Sequence, residues 1–79
     1  MDTHRMAGEV ARNVSQAIVT QGQTKQRIAE VTGIPYSTLS RKLLGRSEFT
    51  FTEIALVADA LGVSPASLIP DAFTLKASA

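Results

Sequence analysis

The stretch that decides the fold is GQTKQRIAEVTGIPYSTLSRKLLG, Gly22 to Gly45. Two runs of helical spacing are broken there by Thr32, Gly33 and Ile34. Thr24 offers an N-cap hydroxyl to the first run, and Ile28, Ala29 and Val31 supply its apolar positions. That helix is only about two turns long. Gly33 is the residue able to take positive φ at a helix end, and Ile34 then turns an apolar side chain back into the core. Pro35 suits the first turn of a new helix, where its missing N–H costs nothing. The spacing therefore predicts a second helix from Pro35 to Leu44. Stepping about 100° per residue from Leu39, Tyr36 and Leu43 lie within about 60° of it. Ser37 and Arg41 project roughly opposite, flanked by Thr38 and Ser40, so the outward face is polar, small and basic.

Working outward from this pair, the remainder also reads as helix, and no strand pattern is evident. Met6, Val10, Val14 and Ile18 recur every four residues, with Ala7, Ala11 and Ala17 beside them and Arg5, Glu9, Arg12 and Gln16 opposite. This predicts an amphipathic first helix ending near Gln21 and Gly22. After Gly45, RSEFTFTE reads as a loop in which Phe49 and Phe51 tuck inward. Thr50 with Glu53 has capping-box spacing, with Thr52 as the other candidate cap. Ile54, Val57, Ala58 and Leu61 make the stripe of a fourth helix closed by Gly62. Ser64 and Pro65 open a short fifth helix containing Leu68 and Ile69, and Pro70 ends it. The expected organisation is a single domain over residues 1–70 and a tail over 71–79 anchored only by Phe73 and Leu75.

Composition narrows the function. The chain has 79 residues, no cysteine and one histidine, His4. A disulfide framework and a thiolate metal site are excluded, and a cytoplasmic protein without cofactor or metal is the expectation. No apolar run long enough to span a membrane occurs, and MDTHRMAGEVARN lacks the apolar core of a signal peptide. There is no clustered carboxylate pair and no glycine-rich phosphate loop, so an enzyme is the poorest option. The net charge of +1 conceals an uneven distribution. Residues 24–47 carry Lys25, Arg27, Arg41, Lys42 and Arg46 against Glu30, a net +4, whereas residues 48–79 are net −3. Such a basic patch is the electrostatic footprint of a polyanion binder, although five cations can equally be a solvated face.

Two helices joined by a tight glycine-containing turn form a helix-turn-helix, in which the second helix can enter a DNA major groove. Ala29 is small where the helices cross, Gly33 stands in the turn and Leu39 anchors the second helix. Through TKQRIAEVTGIPYSTLSRKLLG and FTFTEIALVADALGVSPASLI, Thr24 to Leu68 resembles the lambda-repressor-like, Cro-type helix-turn-helix domains of phage repressors and small bacterial regulators. The resemblance implies an all-α, compact five-helix bundle that places Pro35 to Leu44 in the major groove. It implies that Lys25, just inside the first helix of the pair where relatives often carry Gln, contacts a phosphate. Tyr36 and Ser37 match the start of the recognition helix, and Thr38 and Arg41 its later groove-facing positions. Lys42 departs from the pattern, because many relatives have a branched aliphatic there.

The residue chemistry accords with this. Arg41 can donate two parallel hydrogen bonds to guanine O6 and N7, and its alternative is a phosphate contact or a free surface position. Ser37 and Thr38 can bond base edges or phosphates. Tyr36 has two readings, core packing or a groove contact through its hydroxyl. Leu43 is expected to pack while Lys42 extends toward the DNA backbone. Lys25, Arg27 and Arg46 are candidate phosphate clamps, and the first turn of the helix that Thr24 caps adds a phosphate site of its own. One recognition helix reads few base pairs, so a homodimer through Leu56, Ala60, Phe73 and Leu75 is a candidate, with packing against the fifth helix and tail as its alternative. The competing functional reading is a protein-interaction module, such as an antitoxin gripping a toxin.

Overall fold

A computed structural model describes residues 3–70 as α1 (Thr3–Thr20), α2 (Lys25–Thr32), α3 (Tyr36–Leu43), α4 (Phe51–Leu61) and a 3₁₀ helix, Pro65–Leu68. Among the described residues there is no strand. The expected fifth α-helix is thus a single 3₁₀ turn. Pro65 fixes its start, the Ser64 hydroxyl accepts from the Ala66 N–H at 3.3 Å, and Ile69 is already extended at φ −91°, ψ 140° ahead of Pro70. Too few residues lie between the two prolines for a second turn.

Local chemistry sets the helix boundaries. The Thr24 hydroxyl accepts from the Arg27 N–H at 3.1 Å, and Gly33 closes α2 in the left-handed region at φ 80°. Thr32 stitches the turn: its hydroxyl donates to the Ile28 carbonyl at 2.7 Å and accepts from the Ile34 N–H at 3.3 Å. Pro35 is the N-cap of α3 rather than its first residue, its carbonyl accepting from the Leu39 N–H at 2.9 Å. At α4 the capping box is complete, with the Thr50 hydroxyl accepting from Glu53 N–H at 3.1 Å and Glu53 Oε1 accepting from Thr50 N–H at 2.8 Å. Thr50, not Thr52, is the cap.

The core collects Val14 and Ile18 of α1, Ile28 and Ala29 of α2, Leu39 and Leu43 of α3, and Ile54, Val57, Ala58 and Leu61 of α4, with Ile34 and Leu68 from the connections. Val14, Ile28, Leu39, Val57 and Leu68 are its largest fully buried side chains. The buried stripe of α1 runs through Ala7, Ala11, Val14 and Ile18, whereas Met6 and Val10 are only half-buried, a rotation of the stripe toward its small residues. Phe51 corrects another expectation. It is 80% exposed, because as the first residue of α4 it overhangs the end of the core, while Phe49 does pack inward. Val31 is exposed as well.

Helix α3 packs chiefly against α1 and α2, and α2 also packs on α4. Asn13 ties α1 to the 3₁₀ turn by donating from Nδ2 to the Leu68 carbonyl at 3.2 Å. At the far end of α3, Gly45 takes φ 78° and comes so close to α1 that a Cβ there would lie 3.3 Å from the Gly8 Cα. The end of α3 is thereby held close to α1.

Candidate nucleic-acid interface

The inward stripe of α3 is Leu39, Lys42 and Leu43, spaced i, i+3, i+4. Opposite it Ser37 and Arg41 are exposed, one helical turn apart on the same ridge. Thr38 is half-buried at the flank. Tyr36 resolves in favour of solvent, 53% exposed at the start of the helix, so its ring is not part of the core. Thr24, Lys25 and Arg27 at the start of α2, and Arg46 just beyond α3, are all exposed. The structure thus exposes a polar ridge on α3, cations on the first turn of α2 and a cation just beyond α3. A first turn leaves N–H groups without intrahelical acceptors, and at α2 the Thr24 hydroxyl takes up the one from Arg27.

Lys42 lies elsewhere. It was expected to extend outward toward a phosphate, but it is 8% exposed and its Nζ donates to Glu53 Oε1. The physical reason lies outside α3: Tyr36 and Lys42 stand about 60° from Leu39 on opposite sides, and Leu43 lies on Tyr36's side, so angle alone favours Tyr36 as the inward residue. Glu53, already held by the capping box, offers the inward cation a carboxylate, whereas Tyr36 has no such partner. Among the described residues no buried side-chain nitrogen or oxygen lacks a hydrogen-bond partner. Glu53 is the residue that sequence reasoning missed here. Its signal was the capping-box spacing, which places one fixed carboxylate at the start of α4.

Burial by itself pushes the Glu53 carboxyl up. The Lys42 hydrogen bond, the Thr50 N–H, the Lys42 charge and the Thr50 side chain together outweigh it and hold the carboxyl below its ordinary value of 4.5. A carboxyl depressed in the folded state contributes stability that is present above 4.5 and lost as pH falls through the lowered value. Glu53→Gln should therefore flatten the decline of melting temperature between about pH 5 and pH 3, as followed by circular dichroism. Parallel declines in the two proteins would remove Glu53 from the acid response.

On the other side of α4's first turn, Met6, Ala7, Val10, Phe49, Phe51, Ile54, Ile69 and Pro70 line an open apolar groove of about 170 Å³, with Glu48 at its edge. Leu56 is 42% exposed on α4 and Ala60 is half-buried. Phe73 and Leu75, the other two candidate dimer contacts, lie outside the described residues. Among the described residues no helix is long and apolar enough to cross a membrane, and no cluster of histidine and carboxylate side chains could hold a metal.

A family model described as the BetR domain matches residues 2–77. No curated protein matches the sequence. Among solved structures, the fold is similar to that of the restriction-modification controller protein C.AhdI from Aeromonas hydrophila. The TM-score is 0.75 and the identity 17%, covering 80% of this chain and 96% of that one. It is also similar to a hypothetical transcription factor, NHTF, from Neisseria, with a TM-score of 0.77 and 24% identity over 98% of this chain and 90% of that one.

Proposed function

Because the chain belongs to the BetR domain family and turns the polar, basic face of its second helix-turn-helix element outward, we propose that it is a sequence-specific double-stranded DNA-binding transcriptional regulator. The observation that carries this reading is the division of α3 into a buried Leu39 and Leu43 side and an exposed Ser37 and Arg41 ridge, flanked by exposed Lys25, Arg27 and Arg46. A short helix seated on two others, with its polar side unneeded by the core, is suited to enter a major groove. The two structural neighbours, a restriction-modification controller protein and a hypothetical transcription factor, support the same class.

In this reading Arg41 reads a guanine edge, Ser37, Thr38 and Tyr36 contact bases or adjacent phosphates, and Thr24, Lys25, Arg27 and Arg46 hold the backbone. Lys42 is withdrawn from the phosphate set. The protein acts in a bacterial cytoplasm as a phage or prophage repressor, a Cro-like protein or a small host regulator, and pairs into a dimer through Leu56 and Ala60 of α4 with Phe73 and Leu75 of the tail. Selection from random duplex DNA tests this directly. An inverted repeat with half-site centres about ten base pairs apart is the expected product. Recovery of no preferred sequence would refute sequence-specific binding.

Arg41→Ala should relax selection at one base pair per half-site by about 1–3 kcal/mol, roughly 5- to 150-fold. Lys25→Ala should weaken all duplexes alike. A titration series over single-base variants of the selected site measures both. Uniform weakening by Arg41→Ala would reassign that side chain to a phosphate.

The open groove beneath Phe51 is the observation that favours the second reading, an antitoxin-like interaction module. A stable mixed complex with a co-expressed toxin on a sizing column, without selection of any DNA sequence, would favour it over the first.

A further inference from the structure

Among the described residues, every Lys and Arg is exposed except Lys42. It occupies the place on α3 where an apolar residue would serve the core better. A buried cation needs a partner to offset its desolvation, and replacing such a pair by apolar side chains is often neutral or stabilising. Against an apolar substitute the pair thus gains little stability, which leaves room for a second role.

Geometry supplies the explanation. Helix α3 is seated chiefly on α1 and α2, and the Lys42–Glu53 ion pair ties its inward face to the start of α4. The Glu53 carboxylate is fixed independently of Lys42, since its Oε1 also accepts the Thr50 N–H at 2.8 Å within the capping box. A preset anion on α4 thus decides which of the two residues flanking Leu39, Lys42 or Tyr36, turns inward. Side-chain tips stand about 5 Å from a helix axis, so a rotation of about 20° displaces them by roughly 2 Å. That displacement is enough to break a hydrogen bond of about 3 Å to a base edge.

We propose that the Lys42–Glu53 pair is a positioning device that sets the rotation of α3, so that Lys42 governs which sequence is recognised without itself touching nucleic acid. This rests on the DNA-binding reading above. Glu53, on α4 and facing inward, becomes a determinant of specificity at second hand. The pair acts as a unit, and loss of either member frees α3 to the same extent.

The test compares the wild type, Lys42→Met, Glu53→Gln and the double variant. Methionine keeps the unbranched stem without the ammonium and leaves Glu53 its Thr50 partner, and glutamine keeps the capping box while removing the charge. All four are compared at a temperature where circular dichroism shows them fully folded. The readout is the ratio of affinities for the duplex selected by the wild type and for a scrambled duplex of the same length. Each single variant should lower this ratio at least about fivefold, and the double variant no further than the worse single one. Affinity for the scrambled duplex, and its salt slope, should stay at the wild-type values. A role confined to stability would leave the ratio of folded protein unmoved. The proposal is overturned if Glu53→Gln keeps the wild-type ratio, if the two effects add, or if Lys42→Met lowers the salt slope by about 0.9, the mark of a lost phosphate contact. A wild type that does not distinguish the two duplexes overturns the DNA-binding reading itself. Discrimination by the wild type that survives in the variants overturns the positioning role alone.

Discussion

Leu39→Ala should leave little folded protein at 25 °C. Leu39 is 0% exposed, sits at the centre of the inward stripe of α3 and belongs to the cluster joined by Val14, Ile28 and Val57. Truncating a buried leucine removes its transfer free energy and leaves a cavity, at a combined cost of about 2–5 kcal/mol. A domain near this size rarely holds more than about 3–5 kcal/mol in its core. At the middle of both ranges, about 3.5 against about 4 kcal/mol, the deletion consumes most of the stability. Leu44→Ala is the matched control: Leu44 is 67% exposed just beyond the last turn of α3, and its truncation should shift stability by no more than about 0.5 kcal/mol. Urea unfolding followed by far-ultraviolet circular dichroism measures both. Similar midpoints for the two variants would mean that Leu39 does not anchor α3.

The contrast between these two leucines, five residues apart in one short segment, shows where sequence is a sufficient guide. Caps and turns are local chemistry. Thr24, Gly33, the Thr50 and Glu53 box and Gly62 each act on backbone groups within four residues, and all four appear in the structure as their spacing predicts. Apolar period likewise identified Leu39, Leu43, Ile54, Val57, Ala58 and Leu61 as core. The rotation of α3 was not legible, because the angles about Leu39 and Leu43 favour Tyr36 while the partner that Lys42 finds is a carboxylate on another helix. Phe51 was misjudged for a related reason. It lies on the same stripe as Ile54, but nothing among the described residues extends far enough to cover it. Hydrophobicity says that a side chain gains from burial, and tertiary arrangement decides whether there is anything to bury it. The same holds for the short fifth element, where two prolines rather than the apolar pair between them set the length.

The largest expected change in binding comes from salt. If Lys25, Arg27 and Arg46 each neutralise one phosphate, the slope of log affinity against log salt is about −0.9 per contact, or roughly −2.7 per protomer. Raising monovalent salt about fourfold, from roughly 50 to 200 mM, should then weaken one protomer roughly 40-fold and a dimer on two half-sites roughly 2,000-fold. Arg41 adds little to this slope if its guanidinium faces a base, since base contacts release few counterions. The three clamps are separable from one another because they stand on different segments: Lys25 and Arg27 on the first turn of α2, Arg46 on the loop after α3. Each single alanine variant should reduce the slope by about 0.9 per half-site, and the triple variant should flatten most of it while the protein stays folded, since all three side chains are exposed. Titration of a fluorescent duplex at four salt concentrations gives the slopes directly. A wild-type slope shallower than about −1 would remove these cations from the backbone contacts and leave the basic segment as a solvated face. A slope near −5 would at once count the phosphates and show two copies on the site, because one copy carries too few exposed cations around α3 to produce it.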